Sequence, residues 1–141
     1  MLAVTGRPHQ YIPMDSTGTK TRQVLIIDDD QYVVSFLGMF FKSKGFEVHT
    51  AKDLPDAEGT LKHQALSVIV LDIRLKDSDG TKLVPQIHEL APNVPVVMLT
   101  GLGYDEKLMQ DSLKAGARGY VSKTLPPEEL FAAVLRAMDP A

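Results

Sequence analysis

Cysteine is absent from the 141 residues, which excludes disulfide staples, thiolate zinc sites, iron–sulfur clusters and cysteine nucleophiles. Tryptophan is absent too, and aromatic residues make up only 6%, too few for a platform on which bases stack. Basic surplus is also missing. Fifteen Lys and Arg stand against 18 Asp and Glu, a net charge of −3, so no surface for nucleic acid or an anionic membrane is advertised. The four histidines (His9, His49, His63, His88) are scattered, with no pair at metal-ligand spacing. Long hydrophobic runs are lacking. Those at 24–27, 68–71 and 96–99 fall far short of the about 18 residues that a spanning helix needs. The opening MLAVTGRPHQYIP has no extended apolar stretch of signal-peptide type. These absences lead us to expect a cytoplasmic protein with no membrane segment and no direct nucleic-acid contact.

What is present is a hydrophobic fraction of 44%, enough for one sizeable core. Residues 1–22 show no periodicity, carry Gly6, Pro8, Pro13 and Gly18, and are expected to form a flexible N-terminal tail. A single domain is expected over 23–139. In it, short Val/Ile-rich runs at 24–27, 46–50, 67–71, 94–99 and 118–122 alternate with amphipathic stretches. Several runs are apolar at consecutive positions, as strands buried on both faces must be.

The intervening helical stripes are Val33/Phe36/Leu37/Phe40/Phe41, Leu54/Ala57/Leu61/Ala65, Leu83/Val84/Ile87/Leu90, Leu108/Met109/Ser112/Leu113 and Phe131/Val134/Leu135/Met138. Asp53 is a candidate cap of the second helix. Pro85 falls inside the third, where it removes a hydrogen bond unless it sits in the first turn. Five β-α units imply parallel strands with right-handed crossovers. The fold class is therefore α/β, a doubly wound five-stranded parallel sheet with helices on both faces.

In such a sheet ligands bind beyond the carboxyl ends of the strands. The first strand ends in Asp28-Asp29-Asp30, the third in Asp72, the fourth in Thr100-Gly101 and the fifth at Lys123. An isolated Asp-Asp-Asp more often caps a helix, a lone Thr forms a turn and a lone Lys is solvated. Four such groups at one sheet edge are a different matter. Clustered carboxylates call for a hard divalent cation, and oxygen ligands with open water positions suit Mg²⁺. Lys123, the Thr100 hydroxyl and a backbone N–H near Gly101 would meet phosphoryl oxygens. With no cysteine and no Ser/His pair here, the nucleophile must be an aspartate, and Asp72 is central. The product of its attack on phosphorus is an acyl phosphate.

At this point the sequence resembles the receiver domain of two-component response regulators, of the chemotaxis-Y-like kind. VLIIDDD, VIVLDIRLKDSDG, VPVVMLTG and GARGYVSKTLPPEEL carry the resemblance, from about Val24 to Met138. The intervals from Asp29 to Asp72, Asp72 to Thr100 and Thr100 to Lys123 match as well.

The resemblance implies the flavodoxin-like strand order 2-1-3-4-5. It implies a signalling switch, not an enzyme in the ordinary sense, that catalyses its own phosphorylation and dephosphorylation. Asp72 would be the phosphoacceptor, and Asp28, Asp29, Asp72 and the Arg74 backbone carbonyl the Mg²⁺ ligands. Lys123 would pair with the phosphate, Thr100 would be the switch hydroxyl and Tyr120 the switch aromatic, while Asp30 caps the first helix. The donor would be a sensor histidine kinase. An output domain, a protein partner or a homodimer formed on phosphorylation would carry the signal onward.

Departures from the family pattern are Lys76 and Thr124 at places where proline is common, and Arg74 two residues past the phosphoacceptor. With threonine after Lys123, a trans peptide is expected there. Three other functions compete. A flavin-mononucleotide carrier would need a Ser/Thr/Gly phosphate loop where three aspartates stand. A haloacid-dehalogenase-type phosphohydrolase would need an acid at Arg74. A phosphorylation-independent pseudo-receiver module would not need the full set Asp28, Asp29, Asp72, Thr100 and Lys123. Whether the chain stands alone or belongs to a longer regulator stays open.

Overall fold

Every residue of β1 (Gln23–Ile27), β3 (Val68–Asp72) and β6 (Val96–Thr100) is buried, whereas β2 (Glu47–Ala51) and β7 (Gly119–Ser122) are partly exposed. That contrast separates central strands from edges, and the pairing agrees. In the computed structural model, which describes residues 10–14, 18, 20–75, 78–101, 103 and 105–139, the strands lie in the order β2-β1-β3-β6-β7, all parallel. This is the flavodoxin-like order. A two-stranded antiparallel ribbon that the hydrophobic pattern does not announce, β4 (Arg74–Leu75) with β5 (Ser78–Asp79), follows β3 directly. It is too short to carry a hydrophobic periodicity. Lys76 lies outside the described residues.

Strand alternation sends Leu25, Ile27, Ile69 and Leu71 to one face and Val24, Ile26, Val68 and Val70 to the other. The first set packs with Leu61 of α2 (Leu54–His63) and Val84 and Ile87 of α3 (Gly80–Leu90), on the face that α4 (Glu106–Ala115) also borders. The second packs under Phe41 of α1 (Gln31–Ser43) and Val134 of α5 (Pro127–Met138).

Helices fall where expected, but two faces are turned. α1 buries Val34, Leu37, Gly38 and Phe41, leaving Phe36 outward. Its apolar residues run nearly all the way round, so periodicity alone cannot choose a face. Gly38 lets the helix sit close to β2, where an added Cβ would already touch Val48 at 3.7 Å. α5 likewise buries Leu130, Ala133, Val134 and Ala137 instead of Leu135. In α4 the buried residue is Ser112, whose hydroxyl donates to the Leu108 carbonyl. Asp53 caps α2 as expected, whereas Ala65 lies beyond that helix. Pro85 lies past the first turn of α3 on its exposed side, where water can reach the carbonyl it leaves unpaired. The described residues contain no cis peptide, so Lys123–Thr124 is trans.

Within the stretch read as a tail, Tyr11 forms a parallel bridge with Gln64. The amide of buried Gln23 donates to the Tyr11 and Ala65 carbonyls. No described helix is long and apolar enough to cross a membrane.

Candidate functional site

Three backbone hydrogen bonds set the strand exits side by side. The N–H of Asp28 donates to the Ala51 carbonyl, that of Ile73 to Leu99 and that of Lys123 to Thr100. Parallel register puts Asp72 opposite Leu99 and Thr100 opposite Ser122. Side chains from β1, β3, β6 and the end of β7 therefore meet at one edge of the sheet.

Asp28 and Asp72 are buried, and both face the Lys123 ammonium, at 2.8 Å (Asp28 Oδ2) and 3.3 Å (Asp72 Oδ2). Each carboxylate is also oriented by a local turn. Asp28 Oδ1 accepts from the Asp30 N–H at 2.9 Å, and Asp72 Oδ1 from the Arg74 N–H at 3.1 Å. Asp29 is exposed, yet a carboxylate oxygen from each of Asp28, Asp29 and Asp72 lies within 4.8 Å of the others. Asp30 turns away from this group and caps α1 through the N–H groups of Tyr32 and Val33. Thr100 is fully buried at the end of β6. Tyr120 is half-buried, packs on the α2/α3 side of the core and donates its hydroxyl to the Gly103 carbonyl at 3.5 Å. The structure thus brings Asp28, Asp29, Asp72, Arg74 and Lys123 together, with Thr100 at the adjoining strand end. Tyr120 reaches the β6–α4 connection.

Electrostatics follow from that crowding. Burial, then the Asp28 charge, pushes the Asp72 carboxyl up to about 6, against the opposing pull of the Arg74 N–H and Lys123. Burial alone would lower the Lys123 pKa, but the hydrogen bond and charge of Asp28, with those of Asp72, outweigh it and hold it above the ordinary lysine value. Three carboxylates against one ammonium leave a surplus of two negative charges when all are ionised. Asp28 Oδ2 is buried, with the Lys123 ammonium as its ion-pair partner at 2.8 Å. A hard divalent cation fits both observations: it balances the charge, and it gives that buried oxygen a second positive partner beside the ammonium.

One positioning residue went unnoticed in the sequence. The Gly80 N–H donates to the Ile73 carbonyl at 2.7 Å, and a Cβ at Gly80 would stand 2.7 Å from the Asp72 carbonyl and 2.8 Å from Ile73 Cα. The chain can fold back against the residue pair at the end of β3 only without a side chain there. The signal was Asp79-Gly80 directly before a helical stripe, with Asp79 capping α3 through the Thr81 N–H.

Comparison with known proteins bears on this geometry. A family model described as the response regulator receiver domain matches residues 24–135. The C4-dicarboxylate transport transcriptional regulatory protein DctD of Pseudomonas aeruginosa is 32% identical over 117 residues, which cover 83% of this chain and 25% of that protein. The photosynthetic apparatus regulatory protein RegA of Rhodobacter capsulatus is 28% identical over 114 residues, 81% of this chain and 61% of that one. The chain therefore spans about a quarter to three fifths of the length of these curated relatives. Among solved structures, a CheY-like receiver domain protein from Methanospirillum hungatei JF-1 superposes with a TM-score of 0.76 at 27% identity, covering 84% of this chain and 94% of that one. The beryllofluoride-activated NtrC4 receiver domain dimer gives 0.74 at 30% identity, covering 82% and 95%.

Proposed function

The chain belongs to the response regulator receiver domain family, and on that premise we propose that it is a phosphorylation-operated signalling switch whose phosphoacceptor is Asp72. The observation that carries this reading is the placement of Asp72. It is buried at the end of central strand β3, 3.3 Å from the Lys123 ammonium and within 4.8 Å of two further carboxylates.

With a pKa of about 6 the carboxyl is mostly ionised at neutral pH, so the nucleophile is ready without a separate base. The donor is a phosphohistidine on a sensor histidine kinase. An Asp72 oxygen forms the new bond to phosphorus, the P–N bond breaks, and the imidazole leaves with the electron pair. Asp28, Asp29, Asp72 and the Arg74 backbone carbonyl would hold Mg²⁺, which would supply positive charge to offset that of the phosphoryl group. The Lys123 ammonium, now shared by Asp28 and Asp72, pairs with a phosphoryl oxygen once Asp72 carries the acyl phosphate. The Thr100 hydroxyl is the donor drawn toward the new group, and Tyr120 follows by giving up its bond to the Gly103 carbonyl.

The switch domain is 23–139, preceded by the 1–22 segment. Relatives described as transcriptional regulatory proteins support a transcriptional output, delivered by an output domain or a protein partner and not by these residues. The test is intact-mass measurement after incubation with a small-molecule phosphodonor and Mg²⁺. The wild type should gain the mass of one phosphoryl group and Asp72→Ala none. Stoichiometric uptake by Asp72→Ala would defeat the assignment. Failure of the wild type to take up phosphate or to bind a phosphate analogue with Mg²⁺ would favour a pseudo-receiver module.

A further inference from the structure

The β4–β5 ribbon has two residues on each strand, with Arg74 opposite Asp79 in its antiparallel register. A hairpin of that size is marginally stable at best on its own. It is held at its open end, on both strands. On one side Ile73 donates its N–H to the Leu99 carbonyl at 2.9 Å, and its own carbonyl accepts from the Gly80 N–H at 2.7 Å. On the other, Asp79 is at once the last residue of β5 and the N-cap of α3. Its Oδ1 accepts from the Thr81 N–H at 2.9 Å and from the Thr81 hydroxyl at 2.7 Å. An N-cap residue takes extended backbone angles. Those of Asp79, φ −91° and ψ 116°, serve a strand as well. The capping oxygen therefore keeps residue 79 out of the helix and in the ribbon.

The ribbon in turn reaches Asp72. Arg74 is its first residue, and the Arg74 N–H donates to Asp72 Oδ1 at 3.1 Å while Oδ2 faces the Lys123 ammonium at 3.3 Å. The terminal torsion of an aspartate is broad and roughly two-fold by itself. Two unlike partners make its oxygens inequivalent and fix which one faces the ammonium.

We propose, resting on the reading of Asp72 as the phosphoacceptor, that Asp79 is a positioning residue for it. The Asp79 cap on α3 holds Arg74 in register, and the Arg74 N–H sets the rotation of the Asp72 carboxylate. Asp79 is exposed and stands apart from the three carboxylates grouped for a metal, so it acts through the ribbon alone. Asparagine caps a helix about as well as aspartate, whereas alanine caps poorly and is the best helix former. In Asp79→Ala, α3 gains a residue at its start, the ribbon opens and the Arg74 N–H leaves Asp72.

The full chain tests this with two readouts. Phosphoryl uptake from acetyl phosphate with Mg²⁺, followed by intact mass, should be about tenfold slower in Asp79→Ala and within about twofold of wild type in Asp79→Asn. The loss should lie in the maximal rate and not in the half-saturating donor concentration, because turning a carboxylate adds nothing to donor binding. Asp53→Ala removes a cap of the same kind from α2, controls for lost stability and should keep the wild-type rate. Amide hydrogen exchange on metal-free protein is the second readout. The Arg74 N–H should exchange at least about tenfold faster in Asp79→Ala, and at the wild-type rate in Asp79→Asn and Asp53→Ala. If Asp79→Ala does not fold, Thr81→Val, which deletes only the hydroxyl bonded to Asp79, should show a smaller rise in the same exchange rate. Wild-type uptake by Asp79→Ala, unchanged Arg74 exchange, or an equal slowing in Asp53→Ala would overturn the proposal. A wild type that takes up no phosphoryl group would defeat the phosphoacceptor reading instead, and Arg74 exchange would then decide the positioning by itself.

Discussion

Replacing Asp72 by asparagine should make the metal-free protein more stable at neutral pH, although it removes the central residue of the site. Asp72 is 4% exposed and its carboxyl titrates near 6 instead of 3.8, because burial and the Asp28 charge both oppose its ionised form. A shift of that size corresponds to about 3 kcal/mol between protonated and ionised states, at 1.36 kcal/mol for each pH unit. The native state holds a proton that the unfolded chain releases between pH 3.8 and about 6. Wild-type stability from this group is therefore fully present below 3.8 and is lost as pH rises through 6. The asparagine variant has no such slope. Its Oδ1 can still accept from the Arg74 N–H, and Lys123 keeps Asp28. Urea unfolding in the presence of a chelator should place the variant about 3 kcal/mol above wild type at pH 7 and only about 1 kcal/mol above it at pH 4.5. Saturating Mg²⁺ should narrow the gap at pH 7 by stabilising the wild type. A variant less stable than wild type at pH 7 without metal, or a gap equal at the two pH values, would refute the reasoning.

Gly80→Ala should destabilise the fold by about 1–3 kcal/mol or displace the end of β3, because backbone atoms confront the new methyl from two residues. Chemical denaturation and phosphoryl-uptake rates read both effects, and an unchanged rate with unchanged stability would contradict the close approach. Asp29→Ala, at an exposed position, should fold normally yet lose most of the Mg²⁺-induced rise in melting temperature. An equal rise in both proteins would remove Asp29 from the metal site. Arg74 is exposed beside the site, and its guanidinium is expected to screen the phosphoryl group from in-line water. Arg74→Ala should then lose its phosphoryl group faster, and an unchanged or slower loss would end that role.

The fold was legible because burial on both faces of a parallel sheet requires consecutive apolar residues, and β1, β3 and β6 supply them without interruption. The site was legible for a related reason. Charged residues stopping apolar runs mark strand ends, and one sheet edge collects every such end. Helix faces were harder to read. In α1 aromatic and aliphatic residues occupy both sides, so Val34 and Phe36 exchange the places the periodicity gave them. In α5, small Ala133 and Ala137 face the core because they let the helix approach the sheet, a preference hydrophobicity does not encode. The β4–β5 ribbon and the role of Gly80 escaped because both depend on a backbone approach across the Asp72–Gly80 loop. The Gln23 amide that joins Tyr11 to Ala65 escaped because glutamine at the start of a strand resembles a solvated end until its partners are placed.

The central claim is that phosphoryl transfer forms an acyl phosphate on Asp72 and nowhere else. Borohydride tests it most directly, because it reduces an aspartyl phosphate to homoserine and leaves free carboxylates untouched. The protein is phosphorylated with a small-molecule donor and Mg²⁺, reduced, digested and mapped by peptide mass. The account predicts homoserine at position 72 in the wild type, absent when Mg²⁺ is chelated beforehand. Homoserine at 28 or 29 instead, or none at 72 in protein that has taken up phosphate, would contradict it.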